Sequence, residues 1–305
     1  MKRNIYSKLW MIFFVLMGAA CTNQVEDAIP VSGQPIEFSV QSDWKEILNT
    51  RSNDKTQFGP NDEIQIFGFH KPFRDADENV QFMYKEGDPT TGQKVTYDNG
   101  NWNYSPKRFW PKKGVLDFFA SYPYNSVHYD VGNKRMTYNN NLTQDLLYGL
   151  ATNRDCASKE TVSIWMVHAL AKVRIILDES LGDIGQVTVS GYKTGHFSPI
   201  NNGVPAWEID NVNTHIYADF RKYEGKVDEE LKNNNSVTVF ILPDKITGLK
   251  MWNSVGQEID ASEEIKKHTF LAGKVYNLTI SKSNGVRKKN TNSRSIAMSV
   301  RCVSE

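Results

Sequence analysis

Cysteine is scarce in this 305-residue sequence, with three residues, Cys21, Cys156 and Cys302. That excludes a disulfide-dense scaffold. Neither sign of charge dominates: 36 Lys+Arg stand against 35 Asp+Glu. A nucleic-acid binder working through a strongly basic face is therefore not expected. Long apolar runs are missing as well. Leu9–Ala20 has 12 residues, short of the roughly 20 that a membrane-spanning helix needs. No stretch sustains a helical apolar stripe over three turns.

Catalytic signatures are equally thin. There is no G-x-S-x-G, no phosphate-binding P-loop and no G-x-G-x-x-G. His70, His128, His168, His196, His215 and His268 are scattered without zinc-type spacing. Ser52-x-x-Lys55 and Lys193-Thr194-Gly195 echo penicillin-binding enzymes, but the middle S-D-N element is absent. Asp75-x-Asp77-x-Asn79 with Glu86 has the outline of a calcium loop, yet Val80 stands where the sharp turn needs glycine. The expectation is a protein that is not an enzyme and uses no cofactor or metal.

What is present is unevenly distributed. Lys2, Arg3 and Lys8 make residues 1–20 basic, and residues 281–305 carry six basic residues against Glu305. The intervening body is acidic, so each end calls for its own explanation. The first end has a basic stretch, a short apolar core and Gly18-Ala19-Ala20, the pattern of an export signal over residues 1–20. Small residues directly before Cys21 resemble a bacterial lipobox, with Gly18 where the usual leucine would stand. That resemblance implies lipidation at Cys21 and anchoring in the outer membrane, since two or more acyl chains hold stably. The alternative is an ordinary secretory signal. Residues 21–33 read as a polar tether. Cys156 and Cys302 are open to two readings, a pair in an oxidising compartment or two free thiols.

The body reads as β. Period-2 alternation recurs at Ile36-Phe38-Val40, Ile64 and Ile66, Val173-Ile175-Leu177, Val187-Val189, Val237-Val239-Ile241 and Tyr276-Leu278-Ile280. Turn signals sit at Asn99-Gly100, Asn139–Asn141, Asn201–Gly203 and Asn233–Asn235. Lys226–Lys232 and Ala261–Lys267 are candidate short helices. Many short strands at this spacing suggest sandwiches. The polar patch Asn153–Thr161 places a boundary between units of 34–158 and 159–281, with a basic tail over 282–305. Trp102, Tyr104, Phe109, Trp110, Phe118, Phe119, Tyr122 and Tyr124 form an aromatic concentration best read as core. His168, at the head of a strand, reads as a hydrogen-bonded core residue.

Several segments in order resemble the fimbrillin-like family of fimbrial subunits and accessory lipoproteins of Gram-negative gut and oral bacteria. Asn101–Pro123 (NWNYSPKRFWPKKGVLDFFASYP) carries W-x-Y, W-P and a run ending F-F-A-x-Y-P. Thr143–Tyr148 (TQDLLY), Val167–Ile175 (VHALAKVRI), Ile241-Leu242-Pro243 and Ala272–Asn277 (AGKVYN) follow. The resemblance implies an all-β fold of two tandem β-sandwich domains, transthyretin-like or immunoglobulin-like.

It also implies assembly by strand donation, in which main-chain bonds supply affinity and alternate side chains fill a groove. An open sheet edge is a liability in a lone subunit, so a built-in strand covers it until proteolysis after an arginine releases it. In this sequence Ile36, Phe38 and Val40 would form the displaced strand, and Arg51 is the candidate processing site, the alternative being an ordinary loop arginine. In the tail, Ile296, Met298 and Val300 alternate on one face as a candidate donor strand. The chain's own last strand and a disordered extension are the other readings. The expected role is a structural subunit or tip/anchor accessory of surface fimbriae, partnered by other fimbrial subunits, by the outer membrane and by a host or bacterial surface ligand in adhesion. The alternative is a surface glycan-binding lipoprotein for nutrient capture, with Trp207 and Trp252 as candidate exposed aromatics.

Overall fold

A computed structural model describes residues 31–42, 57–71, 80–198, 205–210, 215–282 and, as backbone, 298–304. Alternating apolar residues punctuated by Asn, Gly and Pro make it almost wholly strand. The first half holds β1 (Val31–Pro35), β2 (Phe38–Ser42), β3 (Glu63–Lys71), β4 (Val80–Met83), β5 (Gln93–Asp98) and β6 (Asn101–Asn103). It continues with β7 (Phe109–Pro111), β8 (Val115–Tyr122), β9 (Val127–Asp130), β10 (Arg135–Asn139), β11 (Leu147–Asp155) and β12 (Val162–His168). After Ala169-Leu170 come β13 (Ala171–Leu177), β14 (Ile184–Tyr192), β15 (Thr194–Phe197), β16 (Glu208–Ile209) and β17 (His215–Arg221). The last strands are β18 (Ser236–Ile241), β19 (Gly248–Asn253), β20 (Glu258–Asp260), β21 (Val275–Lys282) and β22 (Met298–Ser304).

The largest sheet runs β2-β12-β11-β8-β3-β5-β6, with β4 also on β3. Its centre is buried on both faces. Along β3, Ile64 and Ile66 enter one apolar cluster and Phe67 and Phe69 another; along β8, Phe118 and Phe119 divide the same way. The alternation is the pleat at work, since successive side chains leave opposite faces. One face is covered by the segment around β1 and β7, which pair with each other. The other is covered by a small sheet ordered β16-β15-β10-β9. In the second half, the sheets β18-β13-β21-β22 and β17-β14-β19-β20 enclose a single core that includes Val173, Ile175, Val187, Val189, Val239, Leu249 and Leu278.

Two connections join the halves. The change of sheet comes at Ala169-Leu170, because β12 pairs with β11 and β2 in the first-half sheet. The two halves also share a sheet: β10 pairs with β15 across Met136↔Phe197 to Asn139↔Thr194. Periodicity assigns a strand its faces but not its distant neighbour, so neither connection was open to a reading of alternation alone.

Local signals held closely. Asn99 and Gly100 turn β5 into β6 with φ of 48° and 87°, the two positive values that a type I′ hairpin needs. Helix α1 (Glu229–Asn234) begins where the Asp228 side chain accepts from Leu231 N at 2.8 Å, and it ends at Asn235 in the left-handed region. Helix α2 (Ser262–Ile265) lies within the second segment expected to be helical. Among the described residues no helix is long and apolar enough to cross a membrane.

Candidate functional site

Strand β2 is an edge strand with an unusual seat. On one side it pairs in parallel with β12, from Val162↔Phe38 to Met166↔Ser42. Val162 N donates to Glu37 O at 2.8 Å, so the main chain of Glu37 faces β12. The intervening main-chain groups face the other way, toward β6 and β7, where two side chains and the main chain of Arg108, rather than a paired strand, receive them. Trp102 Nε1 donates to Val40 O at 3.2 Å, and the Tyr104 hydroxyl donates to Ile36 O at 2.8 Å. Ile36 N donates to Arg108 O at 2.8 Å. Ile36, Phe38 and Val40 are all buried, and Phe38 stacks edge-on against Phe118 at 5.4 Å between centroids.

The clamp follows from the W-x-Y spacing. Residues two apart share a face of an extended chain, so Trp102 and Tyr104 reach the same strand. Burial pushes the Tyr104 hydroxyl up to about 12, so it is a dependable donor at neutral pH. Lys107 Nζ sits 4.5 Å from the centre of the Tyr104 ring. Beside β2 a groove of about 560 Å³ opens between Glu37, Ser39 and Gln41 on one wall and Tyr97, Asn101 and Asn103 on the other. The sequence reading counted Trp102 and Tyr104 as core; their polar tips, two residues apart, were the signal that they also hold a backbone.

The later motifs meet where the chain changes sheet. Asp145 of TQDLLY pairs with His168 of VHALAKVRI. Gly273 N, of AGKVYN, donates to Leu170 O at 2.9 Å, and Lys172 N donates to Lys274 O at 3.0 Å. Leu242 of the Ile-Leu-Pro segment packs in the same cluster as Ala169 and Leu170. These motifs build a junction. His168 has its carboxylate partner as a hydrogen-bonded residue, and no group of three or more His, Cys, Asp or Glu side chains able to hold a metal ion occurs among the described residues.

The other sequence-named residues are placed as follows. Cys21, Arg51 and Ile296 lie outside the described residues. Met298 and Val300 fall in β22, whose backbone runs antiparallel to β21 with Met298 opposite Lys282 and Val300 opposite Ile280. Cys156 is a free, buried thiol. Trp207 is partly buried: its ring packs on Phe197 at 4.8 Å and Nε1 donates to Ala169 O at 2.9 Å. The most exposed large aromatics are instead Trp165, Tyr217 and Tyr223.

An all-β chain of several sheets, with an N-terminal strand seated on a sheet edge by side-chain clamps, is the class of protein that the fold and this site define. The chain belongs to the fimbrillin-like family, whose model matches residues 50–297. Its fold is similar to that of a proposed cell adhesion protein from Bacteroides uniformis, at 17% identity over 88% of this chain and 98% of that one, with a TM-score of 0.53. A second proposed cell adhesion protein, from Bacteroides ovatus, is similar at 14% identity over 90% and 96% of the two chains, with a TM-score of 0.51. At these identities the likeness is one of fold. No curated protein matches the sequence.

Proposed function

We propose that this protein is a subunit or tip/anchor accessory of cell-surface fimbriae that acts in adhesion and assembles by strand donation. Family membership supports the fimbrial and adhesive role. The observation that carries the assembly step is the seat of β2: five residues in register on one strand, with side-chain hydrogen bonds at Ile36 and Val40 on the opposite side. Withdrawing β2 would bare the edge of β12 and the hollow that Ile36, Phe38 and Val40 fill. A bared edge with an apolar groove is what an incoming strand needs.

On this reading residues 1–20 are an export signal, Cys21 bears the lipid and the protein is displayed on the outer membrane. Cleavage after Arg51 then removes lipid and β2 together. The tail around Ile296, Met298 and Val300 is the segment offered to the next subunit, a reading supported by the antiparallel pairing of Met298–Ser304 along β21. The test is N-terminal sequencing of subunits taken from fibres, alongside the Arg51→Ala variant. The expected result is a mature start at Ser52, with SDS-resistant ladders that Arg51→Ala abolishes. Fibres whose subunits retain Pro35–Gln41 would overturn the strand-release step.

A further inference from the structure

The outer face of the sheet β17-β14-β19-β20 is polar over most of its width, as a solvated face should be. Asp219, Thr188, Lys250 and Asp260 form one row of side chains across the four strands. The neighbouring row is different: Arg221, Gln186, Trp252 and Glu258 lie side by side. The strand carrying Gln186 is irregular here, with a register shift between Ile184 and Gln186 and Gly185 as the extra residue. Glycine bulges of this kind redirect neighbouring side chains and allow close approach from outside. The result is a notch of about 290 Å³ bordered by Gly185, Gln186, Arg221, Tyr223, Glu224 and Trp252.

Two features mark the notch as built. Tyr223, 58% exposed, has its ring edge over Gly185 and is fixed there by its hydroxyl. Its hydroxyl donates to Asp183 Oδ2 at 2.7 Å, and Lys222 Nζ holds the other oxygen of the same carboxylate at 2.7 Å. Gly185 O accepts from Lys222 N at 2.9 Å, which ties the bulge to the same support. The second feature is the polar rim. The Arg221, Gln186 and Glu224 side chains have no hydrogen-bond or ion-pair partner within the described residues, although the neighbouring row is joined by Thr188 to Asp219 and Lys250 to Asp260. Arg221 can only donate, Glu224 can only accept and Gln186 can do both.

We propose that this notch binds a neutral pyranose unit of a glycan. A sugar ring presents an apolar C–H face, suited to Trp252 and Tyr223, and a dense rim of hydroxyls that donate and accept. An anion would be favoured by Arg221 and repelled by Glu224. A wholly apolar ligand would leave three polar groups desolvated and unpaired. The volume is at the low end of small-molecule sites, which suits one ring held and the rest of a chain in solvent. The site is more than 130 residues from Arg51 in sequence and on a different sheet from β2, so binding is a property of the monomer and independent of strand exchange.

The experiment titrates the protein with the methyl glycosides of glucose, galactose, mannose and N-acetylglucosamine, read by tryptophan fluorescence and ligand-observed NMR. At least one should bind saturably. Trp252→Ala and Tyr223→Ala should each weaken that binding at least about tenfold. Gln186→Ala, which removes a half-buried amide with no intramolecular partner, should weaken it severalfold without touching the fold. Trp165→Ala, at an exposed tryptophan in the other half, should leave it unchanged. No saturable binding by any of the four glycosides, or binding that survives both Trp252→Ala and Gln186→Ala, would overturn the proposal. Ladder formation measured on the same variants reports the fimbrial reading separately.

Discussion

Cys156, Tyr104 and Tyr148 share a property that belongs to the single residue: each is a weak acid buried in a core. Burial pushes all three up to about 12, from 9.0 for a free thiol and 10.0 for a free phenol. Their neutral forms are the ones the fold accommodates, so their contribution to stability is whole below the unfolded values and is lost as pH rises toward the folded ones. The urea midpoint should therefore be flat up to about pH 9 and fall steadily above it, together with the appearance of tyrosinate absorbance. Peptide mapping after alkylation at mildly alkaline pH should find Cys156 unmodified in the folded protein, because the thiolate is the reactive species. Retained stability well above pH 11 would show that these groups titrate without unfolding. Cys156 also answers a question that sequence left open, since counting cysteines says nothing about which of them lie within reach of each other.

At the scale of the element, β2 is bonded by backbone on one side and by side chains on the other. The Trp102→Phe variant keeps the ring in the core and removes one hydrogen bond, that to Val40 O. It should cost about 1 kcal/mol of local stability. Amide exchange should then quicken within β2 while β3 and β8 stay protected; uniform acceleration across the sheet would mean that β2 opens only with the whole unit. The strand itself was plain in Ile36-Phe38-Val40, as were Val173-Ile175-Leu177 and Val237-Val239-Ile241, because a half-buried strand writes its period into the sequence. The first short helix starts at a capping Asp228, whereas the second follows Ala261 without a side-chain cap. The clamp was half legible: W-x-Y fixes a shared face, but not which backbone that face meets. Of the notch at Gly185 only Trp252 was legible, as a candidate aromatic for glycan binding; the bulge itself leaves one glycine in a strand and no other trace.

For the whole molecule, the sheet shared by β9, β10, β15 and β16 matters most. Phe197, on β15, packs against Phe119 and Tyr148 of the first half and Trp207 of the second. Nothing in either half's periodicity announces this, since the pairing joins Met136 to Phe197 across some sixty residues. One cluster spanning both halves predicts a single cooperative transition by calorimetry. Phe197→Ala should cost about 3–5 kcal/mol and lower the midpoint of the whole molecule. Two resolved transitions in the unaltered protein would show that the junction is too weak to couple the halves. The same seam has a mechanical meaning. A fibre made of such units would be pulled through β2's seat in one half and β22's sheet in the other, so tension would cross the molecule through the rungs between β10 and β15. Those rungs, backed by aromatic rings, would set how much force a single subunit bears before it yields.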